Sequence, residues 1–480
     1  MAVPCGGTAN HWSVPAYDVD DFPYIHAVTM WNGYLVVGGH FYVIGGIEAN
    51  NIALYDPIND EWSPFLWGFG DAENGLNNTV NALAVFEGRL VAGGGFQIGG
   101  EDYPISGLAV WDGDDWTDEL GRISIEYPAI PPSWPCPSYG WAWESGGATA
   151  LALRTIDNGD STQDLLVSGY FNRIGGHGTG YPYTYCDWAI VGSSAANCLA
   201  RIHRNTMTTN IEYVPMDQDQ IAADIDVFGS WGTDVLAHDG KVYLIGAFAY
   251  SNAVLEYDGS DWTNIGTPHT TNLFNPNFRS LGVADGDLVV GGHFTSIDST
   301  PALGVARWDG SDWSAMGDGL FNVDSLDVLS TGELVAVGDF STTYSADSPN
   351  HIARWTGTAW APFGDGTNGG AGSDQWNAVA GSHSVAPLAN GKFYFGGGFT
   401  TAGGLTARGV ALWRNCRADL NDDGVVDETD YVMFICAYNL VDCDESDMPA
   451  HCPADLNDDG IVEDADFTIF SAAYNAYDCP

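Results

Sequence analysis

Through most of this chain, apolar positions fall into short runs separated by tight turns. Residues 1–415 repeat one pattern seven times: a β-branched or apolar run, a Gly-Gly or close relative, then Phe. The instances are LVVGGHF (35–41), LVAGGGF (90–96), LVSGYF (166–171), VYLIGAF (242–248), LVVGGHF (288–294), LVAVGDF (334–340) and FYFGGGF (393–399). An earlier apolar run and a turn (WNG, FEG, NGD, HDG, ADG, STG, ANG) precede each one. Asn-Gly and Asp-Gly between β runs predict hairpins, because both central residues need positive φ. A third run follows (NIALYD, GLAVWD, CLARIH, AVLEYD, GVARWD, HIARWT, GVALW), and in most units a Trp then opens a fourth: DEW, DDW, SDW, SDW, TAW. Four antiparallel strands repeated seven times predict a mainly β fold, a seven-bladed β-propeller.

The seventh unit stops at Trp413, while HWSVP at 11–15 looks like the fourth strands EWSPF and DWSAM. The N-terminal strand is therefore expected to complete the last blade, joining the ends and covering an exposed edge. The paired glycines, with no helix following, make a poor phosphate cradle; they are expected to let backbone and rings pack closely at blade junctions. Gly-Gly followed by an aromatic, with Trp in the fourth strand, resembles the kelch family and still more the variant propeller repeats of secreted bacterial proteins. The resemblance covers about 400 residues and speaks to fold rather than function.

Strands alternate in direction, so first–second and third–fourth turns share one face and the remaining links share the other. The long insertions fall on the second face. One, 117–147, carries Trp134, Tyr139, Trp141 and Trp143; the other, 177–197, carries Tyr181, Tyr183, Tyr185 and Trp188. These rings could stack on sugars or anchor a protein partner. Alternatively they pack on one another as a small core stapled by a Cys186–Cys198 disulfide.

Charge narrows the partners. With 63 acidic and 14 basic residues the net charge is −49. Such a surface repels nucleic acid and anionic lipid, and no apolar run reaches the ~18–20 residues of a membrane span. The opening MAVPCGG does not read as a secretory leader; a mature form or another export signal is expected. Nine cysteines with no CxxC pair argue for disulfides in an oxidising compartment over a thiolate zinc site. No HExxH, GxSxG or P-loop is present, His40 and His293 recur by repeat register, and no carboxylate pair stands out among the acids. Catalysis is thus unsupported.

The most specific chemistry is ADLNDDGVVDETD at 418–430, which returns as ADLNDDGIVEDAD at 454–466. Oxygen ligands at loop positions 1, 3, 5, 7, 9 and 12 with Gly at 6 make a calcium loop. The first copy offers Asp419, Asn421, Asp423, the Val425 carbonyl, Asp427 and Asp430, around Gly424; the second offers Asp455, Asn457, Asp459, the Ile461 carbonyl, Glu463 and Asp466, around Gly460. Position 8 is apolar in both. Two Ca²⁺ ions would relieve the repulsion among these groups. An amphipathic helix should follow each loop (431–438 and 467–474), and none precedes it.

Paired loop–helix units with Asp at position 12 resemble the dockerin family across residues 416–480. The resemblance implies two calcium ions, folding coupled to metal and docking onto a cohesin-like partner or another surface protein. Positions 10 and 11 are Glu428–Thr429 and Asp464–Ala465, unlike the Ser-Thr recognition type. An antiparallel arrangement of the two units would pair Cys416 with Cys479 and Cys443 with Cys452. The expectation is a secreted or cell-surface binding or scaffold protein with a propeller (1–415), which takes a glycan or protein on its long-loop face, and a calcium-loaded tail. The alternatives are a propeller enzyme acting on polysaccharide and a self-associating array component.

Overall fold

The computed structural model describes residues 12–13, 24–65, 74–96, 106–124, 148–159, 162–171, 173–177, 191–195, 198–204, 211–214, 231–248, 251–270, 275–341, 350–363, 371–372, 383–388, 392–399, 401–402, 405–406, 409–413, 418, 420, 426–440, 454, 456 and 461–476. These residues are mainly β, with two helices near the C-terminus, α1 (Glu428–Tyr438) and α2 (Asp464–Ala476).

Seven four-stranded antiparallel sheets follow one another along the chain. Sheet one comprises Tyr24–Trp31, Tyr34–His40, Ile52–Asp56 and Glu61–Pro64. The first strands of sheets two to seven are Val80–Phe86, Thr149–Asp157, Trp231–His238, Asn277–Ala284, Val323–Val328 and His383–Pro387. Each first strand touches the first strand of the next sheet, and that of sheet seven touches that of sheet one. The turns behave as expected: Asn32-Gly33, Asp239-Gly240 and Asp285-Gly286 carry positive φ at both positions, and so does Glu87-Gly88.

The Gly-Gly motif has two separate causes. Six of the first strands bulge at one place, with register shifts at Ile25/Ala27, Val80/Ala82, Ala150/Ala152, Gly232/Asp234, Phe278/Ser280 and Val323/Ser325. A bulge pushes the strand's own carbonyl toward its partner. A methyl group on the second glycine would then stand 2.0 Å from the Tyr24 carbonyl oxygen at Gly39, and 2.3 Å from that of Asn277 at Gly292. The first glycine instead makes room for the neighbouring sheet: a methyl on Gly38 would meet Val80 at 2.6 Å, and one on Gly396 would meet Val28 at 2.5 Å, linking sheet seven to sheet one. Where sheet three has Ser168, the facing residue of sheet four is Gly232, so the missing space is supplied from the other side.

Third and fourth strands are joined by cross-strand aromatic pairs, Tyr55–Trp62, Trp111–Trp116, Tyr257–Trp262, Trp308–Trp313 and Trp355–Trp360, with centroids 5.0–5.4 Å apart. Such pairs add about 0.5–1.5 kcal/mol beyond area burial. In sheet seven the outer strand comes from the other end of the chain: Trp12 is in register with Trp413 and Ser13 with Leu412. The fourth-strand Trp also ties sheets together. Trp313 donates from Nε1 to the Ile265 carbonyl at 2.6 Å, and Trp360 to that of Met316 at 3.2 Å.

One expected disulfide is overturned. Cys198 is a free, buried thiol, so no Cys186–Cys198 staple exists. Cys198 occupies the left-handed position (φ 52°) that opens the third strand, where sheets two, five and seven have Gly107, Gly304 and Gly409. Its side chain joins Leu166, Leu199, Val235 and Leu244 in the core between sheets three and four. Burial raises its pKa to about 12.

Candidate functional sites

The C-terminal unit is a small core built twice. Ala418, Leu420, Val426, Phe434 and Ala437 are buried, and so are Ala454, Leu456, Val462, Phe470 and Ala473, their counterparts at a spacing of 36 (454 − 418). The position-8 residues Val426 and Val462 are therefore core, as their recurrence implied. Both helices start earlier than expected, at loop position 10. Asp427 caps α1 by accepting from the Thr429 N–H, and Asp430 closes the capping box.

The position-12 carboxylates are the telling groups, since Asp430 and Asp466 are both 0 % exposed. Asp430 accepts the Leu420 N–H at 2.6 Å and the Asp427 N–H at 2.9 Å; Asp466 accepts the Leu456 N–H at 2.7 Å and the Glu463 N–H at 2.9 Å. One geometry thus occurs twice. In each copy a buried carboxylate, aimed by backbone donors, ties the start of the loop to its end. Burying an ionised carboxylate is costly unless further groups compensate; a hard cation with oxygen ligands fits that requirement.

Of the proposed ligands, Asp427, Asp430, Ile461, Glu463 and Asp466 are described; Asp419, Asn421, Asp423, Val425, Asp455, Asn457 and Asp459 lie outside the described residues. Positions 10 and 11 are exposed in both copies. Beside them lie the exposed apolar side chains Tyr431, Val432, Phe467 and Ile469. The Tyr438 hydroxyl donates to Asp464 at 2.5 Å, an exposed bond between the two helices. Cys436 on α1 is disulfide-bonded to a residue outside those described. Both expected pairs, Cys416–Cys479 and Cys443–Cys452, also lie outside them.

On the long-link face, second–third connections form hairpins that pair with the chain leaving the preceding sheet. One such three-stranded sheet orders Ile123–Ser124, Arg173–His177 and Val191–Ala195. It holds the stems of both aromatic insertions side by side. The rings themselves, Trp134, Tyr139, Trp141, Trp143, Tyr181, Tyr183, Tyr185 and Trp188, lie outside the described residues. His40 and His293 sit at matching places on this face. His293 is buried edge-on against Phe321 at 4.8 Å, and His40 meets the Thr79 hydroxyl at 3.3 Å. His293 therefore packs at the edge of the core, whereas His40 is exposed.

A polar seam follows the first strands. The side-chain oxygens of Asp234 and Ser280, each just after a bulge, and of Ser384, opposite Gly396 in sheet seven, accept the N–H groups of Leu281, Leu326 and Val28 in the following sheet, at 3.0, 2.9 and 3.3 Å. Each closes off an otherwise open strand edge. Sequence reasoning missed what lies within this seam. Arg154 of sheet three pairs with Asp234 of sheet four at 3.2 Å and reaches Asp327 of sheet six at 3.8 Å. Sheets three and six are not neighbours, so the guanidinium crosses the space that the first strands enclose. Asp234 first, then Asp327, hold its pKa above the usual range. Burial pushes the Asp327 carboxyl up to about 6, with Asp234 adding to the rise and Arg154 opposing it. The sequence signal was present: TDVLAH and VDSLDV place Asp234 and Asp327 at positions where the other first strands carry no acid.

A family profile described as "Domain of unknown function (DUF5122) beta-propeller" matches residues 284–311, which hold the second and third strands of sheet five. With the repeated four-stranded sheets, it identifies the fold as a β-propeller. No curated protein matches the sequence. Among solved structures, the chain is similar to the extracellular domain of a putative hybrid two-component system from B. thetaiotaomicron (11% identity, TM-score 0.42, covering 84% of this chain and 40% of that one). It is also similar to the computationally designed Ika8 protein (12% identity, TM-score 0.37, covering 83% and 99%) and to YCF48 bound to D1 peptide (10% identity, TM-score 0.37, covering 83% and 98%). The chain spans 40% and 39% of the first two solved chains.

Proposed function

We propose that the chain is a secreted or cell-surface binding protein, in which a closed, kelch-like seven-bladed propeller (1–415) displays a ligand face and a dockerin-like module (416–480) holds two Ca²⁺ ions and attaches the propeller to a partner. The observation that carries this reading is the duplicated burial of Asp430 and Asp466 with matching backbone donors. A solvated acidic linker has no reason to bury one carboxylate per copy against the same two N–H groups. Asp427 and Glu463 at position 9 stand beside them, and the remaining oxygen ligands follow from the loop spacing. The ion would neutralise the loop; this chain's residues orient the position-12 carboxylate and supply the apolar core on which the folded loops rest. Exposed Tyr431, Val432 and Phe467 next to positions 10 and 11 suit docking on a cohesin-like or other surface protein. The Cys436 disulfide and the net charge of −49 favour an extracellular setting.

Calorimetric titration of the chelator-stripped full chain with calcium tests this. Two ions should bind, Asp430→Ala and Asp466→Ala should each remove one, and EDTA should unfold residues 416–480 while leaving the propeller's β signal. Chelator-insensitive folding of the module, or a stoichiometry that both variants leave unchanged, refutes it.

A further inference from the structure

A groove of about 470 Å³ opens between sheets one and two, a size typical of small-molecule sites. It lies on the short-turn side, between the Asn32-Gly33 turn of sheet one and the third–fourth turn of sheet two. Trp31, Tyr34 and Trp111 supply aromatic wall, and Asn32 and Asp114 stand at the rim. The wall is held rigidly. Trp31 donates from Nε1 to the Gly88 carbonyl at 3.0 Å, and Trp111 is wedged between Phe65 and Trp116 with centroids at 5.0 and 5.4 Å. Tyr34 is 41 % exposed. The Asp114 backbone N–H is fixed by Asp112 at 2.9 Å, which anchors the rim turn.

From these features we infer that the groove is a second binding site, for one neutral sugar ring of a glycan. The exposed Tyr34 ring and the part-exposed Trp31, over a floor formed by the edge of Trp111, offer apolar surface to the C–H face of a pyranose. The phenol, amide and carboxylate at the rim supply the donor and acceptors that vicinal hydroxyls require, and none of the three side chains has a hydrogen-bond partner among the described residues. A net charge of −49, with Asp114 at the rim, turns away anionic ligands. One stacked ring with a few hydrogen bonds corresponds to a Kd of about 1 mM, a strength that becomes useful when a long glycan engages several sites at once.

Calorimetry and ligand-observed NMR on the full calcium-loaded chain, with cellohexaose, xylohexaose and chitohexaose as probes, test the site. At least one should bind, Tyr34→Ala should weaken it about tenfold and Asp114→Ala about threefold, with unfolding midpoints unchanged. Replacing 125–147 by a short linker should leave this binding intact, which separates the groove from the insertion face. The inference is overturned if none of the three sugars binds. It is also overturned if binding survives both point substitutions but is lost with the insertion, or if tetramethylammonium alone occupies the groove.

Discussion

Asp327→Asn is the sharpest test of how the ring is held. In the folded chain the Asp327 carboxyl titrates at about 6, against an ordinary 3.8. Because the folded pKa is raised, the group contributes stability below about 3.8, and that contribution is lost as the pH climbs through about 6. The gap amounts to about 3 kcal/mol at neutral pH. That figure is a ceiling, because the side chain keeps 18 % of its surface exposed; about 1–3 kcal/mol is expected. Asn preserves an acceptor for the Ser325 hydroxyl, which donates to Asp327 at 3.4 Å, and for the Val385 N–H. Arg154 keeps Asp234 as its closer partner, at 3.2 Å. Urea unfolding from pH 4 to 8 should show the variant more stable than the parent at pH 8, with the difference vanishing near pH 4. Arg154→Met is the converse. It leaves two carboxylates facing each other and should cost about 3–5 kcal/mol at pH 8, with part recovered on acidification. An Asn variant less stable than the parent at pH 8, or a difference that ignores pH, would show that the cluster is not held as the geometry implies.

Three further outcomes follow from the packing. Gly39→Ala should destabilise the propeller by about 3 kcal/mol or more, through collision with the Tyr24 carbonyl oxygen, whereas Gly95→Ala, whose nearest neighbour would be 3.7 Å away, should change the urea midpoint little. The Cys198 thiol, with its pKa raised to about 12 by burial, should resist a thiol-specific reagent in the native state and react once the chain is unfolded; rapid native labelling would place it outside the core. Trimming residues 1–15 removes the strand paired with Leu412 and Trp413, and hydrogen exchange should then quicken first in sheet seven and in Ile25 and Val28, which pack against Gly396.

What could be foreseen from the residues divides along a physical line. The hairpin turns and Gly-Gly-aromatic runs were readable because a local backbone requirement repeats seven times, and repetition separates a requirement from chance. The duplication of the acid-rich segment was readable for the same reason at a spacing of 36, and the structure adds that Asp430 and Asp466, proposed as ligands, are core residues. The Cys186–Cys198 expectation failed because proximity in sequence says nothing of direction. Cys198 begins a strand in a left-handed conformation that turns its thiol inward. The Arg154–Asp234–Asp327 cluster was hidden because it joins residues 80 and 173 positions apart (234 − 154 and 327 − 154) across sheets three, four and six.

That cluster also bears on what the ring is for. A buried and a half-buried carboxylate sharing one guanidinium are seldom the most stable filling for an interior, since apolar residues of similar size usually do as well or better. What the cluster supplies is registry. Arg154 reaches Asp327 only if sheets three and six stand at one separation across the interior, so the ion pair favours that arrangement of sheets over a slipped or more open one. Sheets held at a fixed spacing would keep the proposed ligand face and the proposed groove in constant relation. If Arg154→Met keeps its fold yet lets the spacing between sheets three and six vary, as distance measurements between spin labels on their outer strands would report, the cluster's role is geometric. An unchanged, narrow distance distribution would instead assign that registry to the Gly-Gly junctions alone.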